Sequence, residues 1–104
     1  MESLKTFYVG VKGVVIKDTK VLILKRKDGE DLFWDLPGGR IHENETIEQT
    51  LIRELREEAI PPSATIQIGE LLHAWRLNKN LKDSQGLLLL YYRVFSNVET
   101  PILS

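Results

Sequence analysis

The stretch that organises this chain runs from Trp34 to Glu58 and reads WDLPGGRIHENETIEQTLIRELREE. Its first part contains Pro37-Gly38-Gly39, a combination that predicts a tight turn. Its second part has apolar residues at every fourth position, which predicts a helix with one apolar face. We place this helix over Thr46–Ala59, with Ile47, Leu51, Leu55 and Ala59 along the apolar face.

Residues at both ends of this helix predict where it starts and stops. Thr46 followed three positions later by Gln49 resembles a capping box, in which each residue accepts a hydrogen bond from the other's free backbone N–H. Pro61 and Pro62 predict the other end, because the residue before a proline is disfavoured in the helical conformation.

Working outward from the helix, β-branched and aromatic residues predict strands on both sides. Phe7–Ile16 and Lys20–Lys25 predict a β-hairpin, and Lys27–Asp31 predicts a polar loop. Thr65–Arg76 and Gly86–Phe95 predict two further strands. Strands, one helix and then strands again predict an α+β domain, in which the helix covers a mixed sheet.

Composition excludes several classes of protein. The 104 residues fit a single domain over residues 1–104. Fourteen Lys and Arg against 15 Asp and Glu argue against a nucleic-acid binder that relies on overall positive charge. The absence of cysteine excludes disulfides and thiol catalysis, and the longest apolar run, Leu87–Tyr92, is too short to cross a bilayer. We expect a cytoplasmic protein without nucleic-acid or membrane partners.

Three acidic residues of the helix break the rules for an ordinary helix surface. Glu54, Glu57 and Glu58 are neighbours at spacings of three and four, where like charges repel. They also lie in the last turns, where the helix dipole favours cations. A bound Mg²⁺ or Mn²⁺ would relieve both conflicts. A solvated acidic face, with Arg53 and Arg56 as partial counter-charges, explains the cluster equally well at this point.

The context of these carboxylates adds a resemblance to a known family. Gly39 is followed by five residues, Glu45, seven residues and then Arg53-Glu54-Leu55-Arg56-Glu57-Glu58. This pattern resembles the Nudix box, the motif of hydrolases that cleave nucleoside diphosphates linked to another moiety. Trp34–Gly39 is similar to the strand and turn that precede the box in many members. The resemblance implies an α/β/α sandwich and a mutator-type nucleotide pyrophosphohydrolase.

The resemblance also implies roles for individual residues. Glu54, Glu57 and Glu58 would be ligands of Mg²⁺ or Mn²⁺, with the Gly38 carbonyl oxygen as a further ligand. Glu54 would also be the catalytic general base. A metal held in this way would lower the pKa of a bound water and bridge the oxygens of a pyrophosphate in a small nucleotide substrate. Structural support would come from Gly39, Glu45 and Arg53, with Arg53 pairing with Glu45.

The sequence departs from the family pattern at its C-terminal end. Ser96–Ser104 cannot supply the further sheet and the second helix of the sandwich, so we expect a short or C-terminally truncated member. An incompletely covered strand at Leu87–Phe95 would favour a homodimer. The alternatives to an enzyme are a non-catalytic Nudix-like nucleotide-binding module, an inactive fragment, or a protein-interaction domain with a structural acidic helix.

Overall fold

The long strand Phe7–Lys17 (β1) is the central strand of the sheet in the computed structural model, which describes residues 3–77, 81 and 83–99. Along the chain it is followed by Lys20–Val21 (β2), Leu24–Asp28 (β3), Asp31–Asp35 (β4), Gly38–Arg40 (β5), Ile47–Glu58 (α1), Gln67–Arg76 (β6) and Gly86–Phe95 (β7). These elements confirm the α+β prediction, with one helix among the described residues.

The pairing of β1 determines the topology. One edge of β1 pairs in parallel with β7, from Phe7 opposite Gly86 to Val15 opposite Val94. Its other edge pairs antiparallel with β5 and β2. Strand β6 pairs antiparallel with the far edge of β7, which gives a mixed sheet in the order β2-β1-β7-β6. Strands β3 and β4 form a separate two-stranded sheet.

Helix α1 covers one face of this sheet. Its N-terminus has the predicted capping box: the Thr46 hydroxyl accepts from the Gln49 N–H, and the Gln49 side chain accepts from the Thr46 N–H. The core between helix and sheet consists mainly of the fully or nearly fully buried residues Val11, Val15, Leu51, Leu55 and Val94. Because strand residues alternate between faces, Tyr8, Gly10 and Lys12 face away from α1.

The predicted polar loop Lys27–Asp31 is wrong in part. Most of its residues belong to β3 and β4, which are joined by a tight turn at Gly29 and Glu30. The second strand of the predicted hairpin, Lys20–Lys25, is also shorter than expected, since only Lys20 and Val21 pair with β1. Strand β3 instead starts at Leu24 and pairs with β4. The first error has a clear cause: most side chains of the β3–β4 hairpin are exposed, so it lacks the apolar alternation that marks a half-buried strand.

Strand β7 is an inner strand, paired on both edges, so its backbone is not the open edge that the sequence suggested. The strand at the edge of the sheet is β6, which pairs only with β7 within the described residues and has mostly exposed side chains. Residues 96–99 form neither helix nor strand, and the rest of the predicted C-terminal piece Ser96–Ser104 lies outside the described residues. No helix in the described ranges is long and apolar enough to cross a membrane.

Candidate functional site

The glycine turn is fixed against β1 by contacts that require glycine. Gly38 has a φ of +148°, and a methyl group on its Cα would lie 2.0 Å from the Val11 carbonyl oxygen. The Pro37 carbonyl accepts from the Gly13 N–H at 2.8 Å, which ties the turn to the middle of β1. The turn is thereby held between β1 and the last turns of α1.

Two predicted ligands of α1 contact this turn. The Gly38 N–H donates to Glu58 Oε1 at 2.9 Å. The Glu54 carboxylate lies over Gly39, where a methyl group would be 2.5 Å from Glu54 Oε1. Each of these two glutamates is only 16% exposed. The two glycines therefore allow two acidic side chains of the helix to lie directly against the backbone of the turn.

Glu57 differs from the other two glutamates. Its side chain is 58% exposed, and its Oε2 lies 3.6 Å from Arg53 Nη1. The solvated-face interpretation thus describes Glu57 but not Glu54 or Glu58. Arg56, the second counter-charge of that interpretation, is directed elsewhere: its guanidinium donates to the Ala64 carbonyl at 2.8 Å and ties down the chain after the helix.

Arg53 connects the predicted supporting residue to the predicted base. Its Nε and Nη2 donate to both oxygens of Glu45, at 2.8 and 3.1 Å, while Nη1 donates to Glu54 Oε1 at 2.7 Å. The three carboxylates Glu45, Glu54 and Glu57 share this one guanidinium, which leaves a formal charge of −2 on the group. Such a surplus of negative charge favours a bound cation.

Glu45 is itself held from several sides. The buried Thr50 hydroxyl lies 3.0 Å from Glu45 Oε1, and the His42 N–H donates to the same oxygen at 3.0 Å. The hydrogen bond from Arg53, opposed by desolvation and aided by these two donors, lowers the pKa of Glu45 to about 2. Glu45 and Glu54 in turn raise the pKa of Arg53 above its ordinary value. This arrangement holds the loop before α1 against the helix.

A second group of charges, which the sequence did not predict as a network, reaches the site from the β3–β4 hairpin. Lys12 Nζ and Arg26 Nε lie 2.9 and 3.0 Å from Asp35 Oδ2. Arg26 Nη2 lies 2.6 Å from Glu58 Oε2 and 3.5 Å from the Gly38 carbonyl oxygen. Burial opposes the charged form of Asp35, but the contacts with Lys12 and Arg26 have the larger combined effect and lower the pKa of Asp35. Burial also opposes the charge of Arg26, yet Glu58 and Asp35 raise its pKa.

The donor set has the chemistry that Mg²⁺ or Mn²⁺ requires. Carboxylate oxygens of Glu54 and Glu58 and the carbonyl oxygen of Gly38 are hard ligands, and the Glu54 carboxylate fills the space that a side chain at Gly39 would take. In the described part of the chain, however, no three acidic or histidine side chains are gathered into a group that could hold a metal ion. Two of the proposed ligands are instead paired with arginines: Arg53 contacts Glu54 and Arg26 contacts Glu58.

A cavity of about 320 Å³ opens on the sheet face opposite α1. It is lined by Tyr8, Arg40, Leu81 and Asp83. The Arg40 guanidinium lies 4.6 Å from the centre of the Tyr8 ring, and the Tyr8 hydroxyl donates to Asp83. Tyr8 and Asp83 lie 75 positions apart in the chain, so their proximity was not predictable from the sequence.

The fold and the glycine-turn site together define a family. The model of the NUDIX domain matches residues 7–102. The chain therefore belongs to the NUDIX domain family, and the resemblance drawn from the box is confirmed. In three dimensions it is similar to the crystal structure of the MutT protein of Methanosarcina mazei Go1, with a TM-score of 0.72 over 98% of this chain and 73% of that chain, at 21% identity.

Two curated relatives are similar over part of their length. An ADP-ribose pyrophosphatase of Methanocaldococcus jannaschii is 41% identical over 51 residues, which are 48% of this chain and 30% of that protein. An 8-oxo-dGTP diphosphatase of Proteus vulgaris is 38% identical over 60 residues, 56% of this chain and 54% of that protein. The matched segments thus span about a third to a half of these relatives' own lengths.

Proposed function

We propose that this chain is a pyrophosphohydrolase that uses Mg²⁺ or Mn²⁺ to cleave a pyrophosphate bond in a nucleoside diphosphate derivative or a nucleoside triphosphate. The observation that carries the proposal is the contact of Glu54 and Glu58 with the Gly38-Gly39 turn. Membership of the NUDIX domain family supports it, since two relatives are named as a pyrophosphatase and a diphosphatase. The family match over residues 7–102 supports a single domain across residues 1–104.

The proposal gives each residue of the site a role. The metal would be held by Glu54, Glu57, Glu58 and the Gly38 carbonyl oxygen, and when bound it would activate a water and neutralise phosphate charge. Glu54 would accept the proton of the attacking water, because its carboxylate lies against the turn and is mostly shielded from solvent. Arg53 would hold Glu54 in this position through the bond at 2.7 Å.

The cavity beside Arg40 would receive the nucleotide. An aromatic ring such as Tyr8 offers a face for base stacking, and a guanidinium such as that of Arg40 pairs with phosphate. The two relatives are named for different substrates, ADP-ribose and 8-oxo-dGTP, which share a pyrophosphate linkage. We therefore propose that the protein recognises the pyrophosphate linkage of its substrate. The group attached to this linkage is to be identified by experiment.

A panel of nucleotides incubated with the protein and Mg²⁺ tests this proposal. The panel contains ADP-ribose, 8-oxo-dGTP, dGTP and a dinucleoside polyphosphate, and ³¹P NMR identifies the bond that breaks. We expect hydrolysis of at least one compound, and no hydrolysis after EDTA treatment. Binding of a nucleotide without hydrolysis under any divalent cation would instead support a non-catalytic Nudix-like binding module.

We also propose that the protein forms a homodimer through β6. Leu71, Leu72 and Trp75 on this strand and Phe95 at the end of β7 are each 45–49% exposed. Among the residues that the structure describes, the outer edge of β6 has no strand partner. An open edge that carries large apolar side chains favours pairing with a second chain.

A further inference from the structure

Arg26 contacts donors that the proposed metal would use. Its Nη2 lies 2.6 Å from Glu58 Oε2 and 3.5 Å from the Gly38 carbonyl oxygen. The contact is partly shielded from water, since the side chains of Arg26 and Glu58 are 29% and 16% exposed. Two of the four proposed ligands therefore already face the guanidinium of Arg26.

We propose that Arg26 competes with the divalent cation for this site: its guanidinium engages Glu58 and the Gly38 carbonyl in the metal-free protein and leaves them when the metal binds. The inference rests on the proposed function, because it requires the metal site at Glu58. The competition concerns one oxygen in particular. Glu58 Oε1 accepts from the Gly38 N–H at 2.9 Å, so the carboxylate stays in place when Oε2 loses Arg26.

Arg26 also contacts a second carboxylate, Asp35, which can pair with its charge when Glu58 binds the metal. Its Nε lies 3.0 Å from Asp35 Oδ2, and this contact does not involve the turn or the helix. The charge of the side chain can therefore stay close to Asp35 when the guanidinium leaves Glu58. Asp35 in turn keeps Lys12 at 2.9 Å and the Leu36 N–H at 2.8 Å, so it is not left without partners if Arg26 moves or is removed.

The proposed competition predicts the direction in which the metal affinity changes when Arg26 is removed. A positive side chain that must be displaced lowers the affinity of the site for metal, so its removal should tighten binding. For a partly exposed ion pair we expect a decrease in Kd of about threefold to tenfold. A residue with only a structural role would have the opposite effect, because loosening the site would weaken metal binding.

Calorimetric titration of the whole chain with Mn²⁺ tests the inference. Wild type is compared with Arg26→Gln and with Lys25→Gln, which removes the same charge from the neighbouring position of β3. Lys25 is an apt control because successive strand residues point to opposite faces and its Nζ lies 6.0 Å from the centre of the Trp34 ring. We expect tighter binding by Arg26→Gln only.

The outcomes separate this inference from the proposed function. Equal Kd values for wild type and Arg26→Gln, or equal tightening in both variants, would overturn the competition and leave the metal site standing. Absence of Mn²⁺ binding in all three proteins would overturn the proposed metal site and the competition with it. A second measurement needs no variant: the ¹⁵N resonance of Arg26 Nε should shift as Mg²⁺ saturates wild type, and an unchanged resonance at saturation would contradict the withdrawal.

Discussion

Arg53 and Glu45 form a two-pronged ion pair, with Nε 2.8 Å from Oε2 and Nη2 3.1 Å from Oε1. Two parallel hydrogen bonds fix the plane of the guanidinium as well as its distance. The third nitrogen, Nη1, is thereby aimed at Glu54 Oε1. The position of the proposed base thus depends on a carboxylate in the loop before α1.

The depressed pKa of Glu45 predicts an acid-dependent loss of stability. Its pKa is about 2 in the folded chain against an ordinary 4.5, so the unfolded chain binds more protons between these values. The contribution of Glu45 is present above pH 4.5 and is lost as the pH falls toward 2. We expect Glu45→Gln to lower the Tm at pH 7 and to flatten the dependence of Tm on pH in this range. The matched control is the exposed neighbour Glu43→Gln, and identical slopes for wild type and Glu45→Gln would contradict the prediction.

The close contact at Gly38 predicts a large loss of stability when this glycine is replaced by alanine. Gly38→Ala places a methyl group against the Val11 carbonyl at 2.0 Å, so the turn must move away from β1. We expect a loss of about 3 kcal/mol in the free energy of unfolding, measured in urea. Gly29→Ala is the control: its φ is +63° but it has nothing within 4 Å, so only about 1–2 kcal/mol of backbone strain is expected. Equal losses in both variants would show that the turn relaxes freely.

The role proposed for Glu54 predicts a selective loss of turnover. With a substrate from the panel, Glu54→Gln should lower kcat by about 100-fold or more, the range of a positioned general base. Nucleotide binding, measured by calorimetry, should change much less. The control is Glu48→Gln, an exposed carboxylate in the first turn of α1. Unchanged turnover in Glu54→Gln would remove this residue from the mechanism.

The exposed strand β6 predicts concentration-dependent self-association. Sedimentation velocity over a wide range of concentrations should show a dimer in wild type. Leu72→Lys should shift the equilibrium toward monomer, because a lysine on an edge strand opposes strand pairing. Leu32→Lys on the β3–β4 hairpin is the control, since Leu32 is 59% exposed and lies outside the five-stranded sheet. A monomer at the highest concentration in wild type would contradict the prediction.

The helix and its cap were predictable because their signals are local. Thr46 and Gln49 are three positions apart, and the apolar stripe of α1 repeats at the helical period. The contact of Glu45 with Arg53 was also expected from the family pattern. In each of these pairs, both members lie within one short stretch of chain, so their spacing in the sequence limits their spacing in space.

The contacts of Arg26 were not predictable in this way. Its partners Asp35, Gly38 and Glu58 come from three different elements, and they meet only through the pairing of β3 with β4 and of β5 with β1. The sequence shows Arg26 as one of several basic residues in a polar segment. Nothing in its neighbours indicates that its side chain reaches a helix 32 positions further along the chain.

The parallel pairing of β1 with β7 has a consequence for how the protein folds during its synthesis. Phe7 lies opposite Gly86, 79 positions later, so one edge of the central strand has no partner until β7 has been synthesised. Helix α1 packs on Val94 as well as on β1, and closing so long a stretch of chain is slow. A nascent chain that ends before Gly86 contains every residue of the glycine turn and the acidic helix but lacks the buried Val94 of their shared core. Cation binding during synthesis should therefore begin only after β7 has left the ribosome.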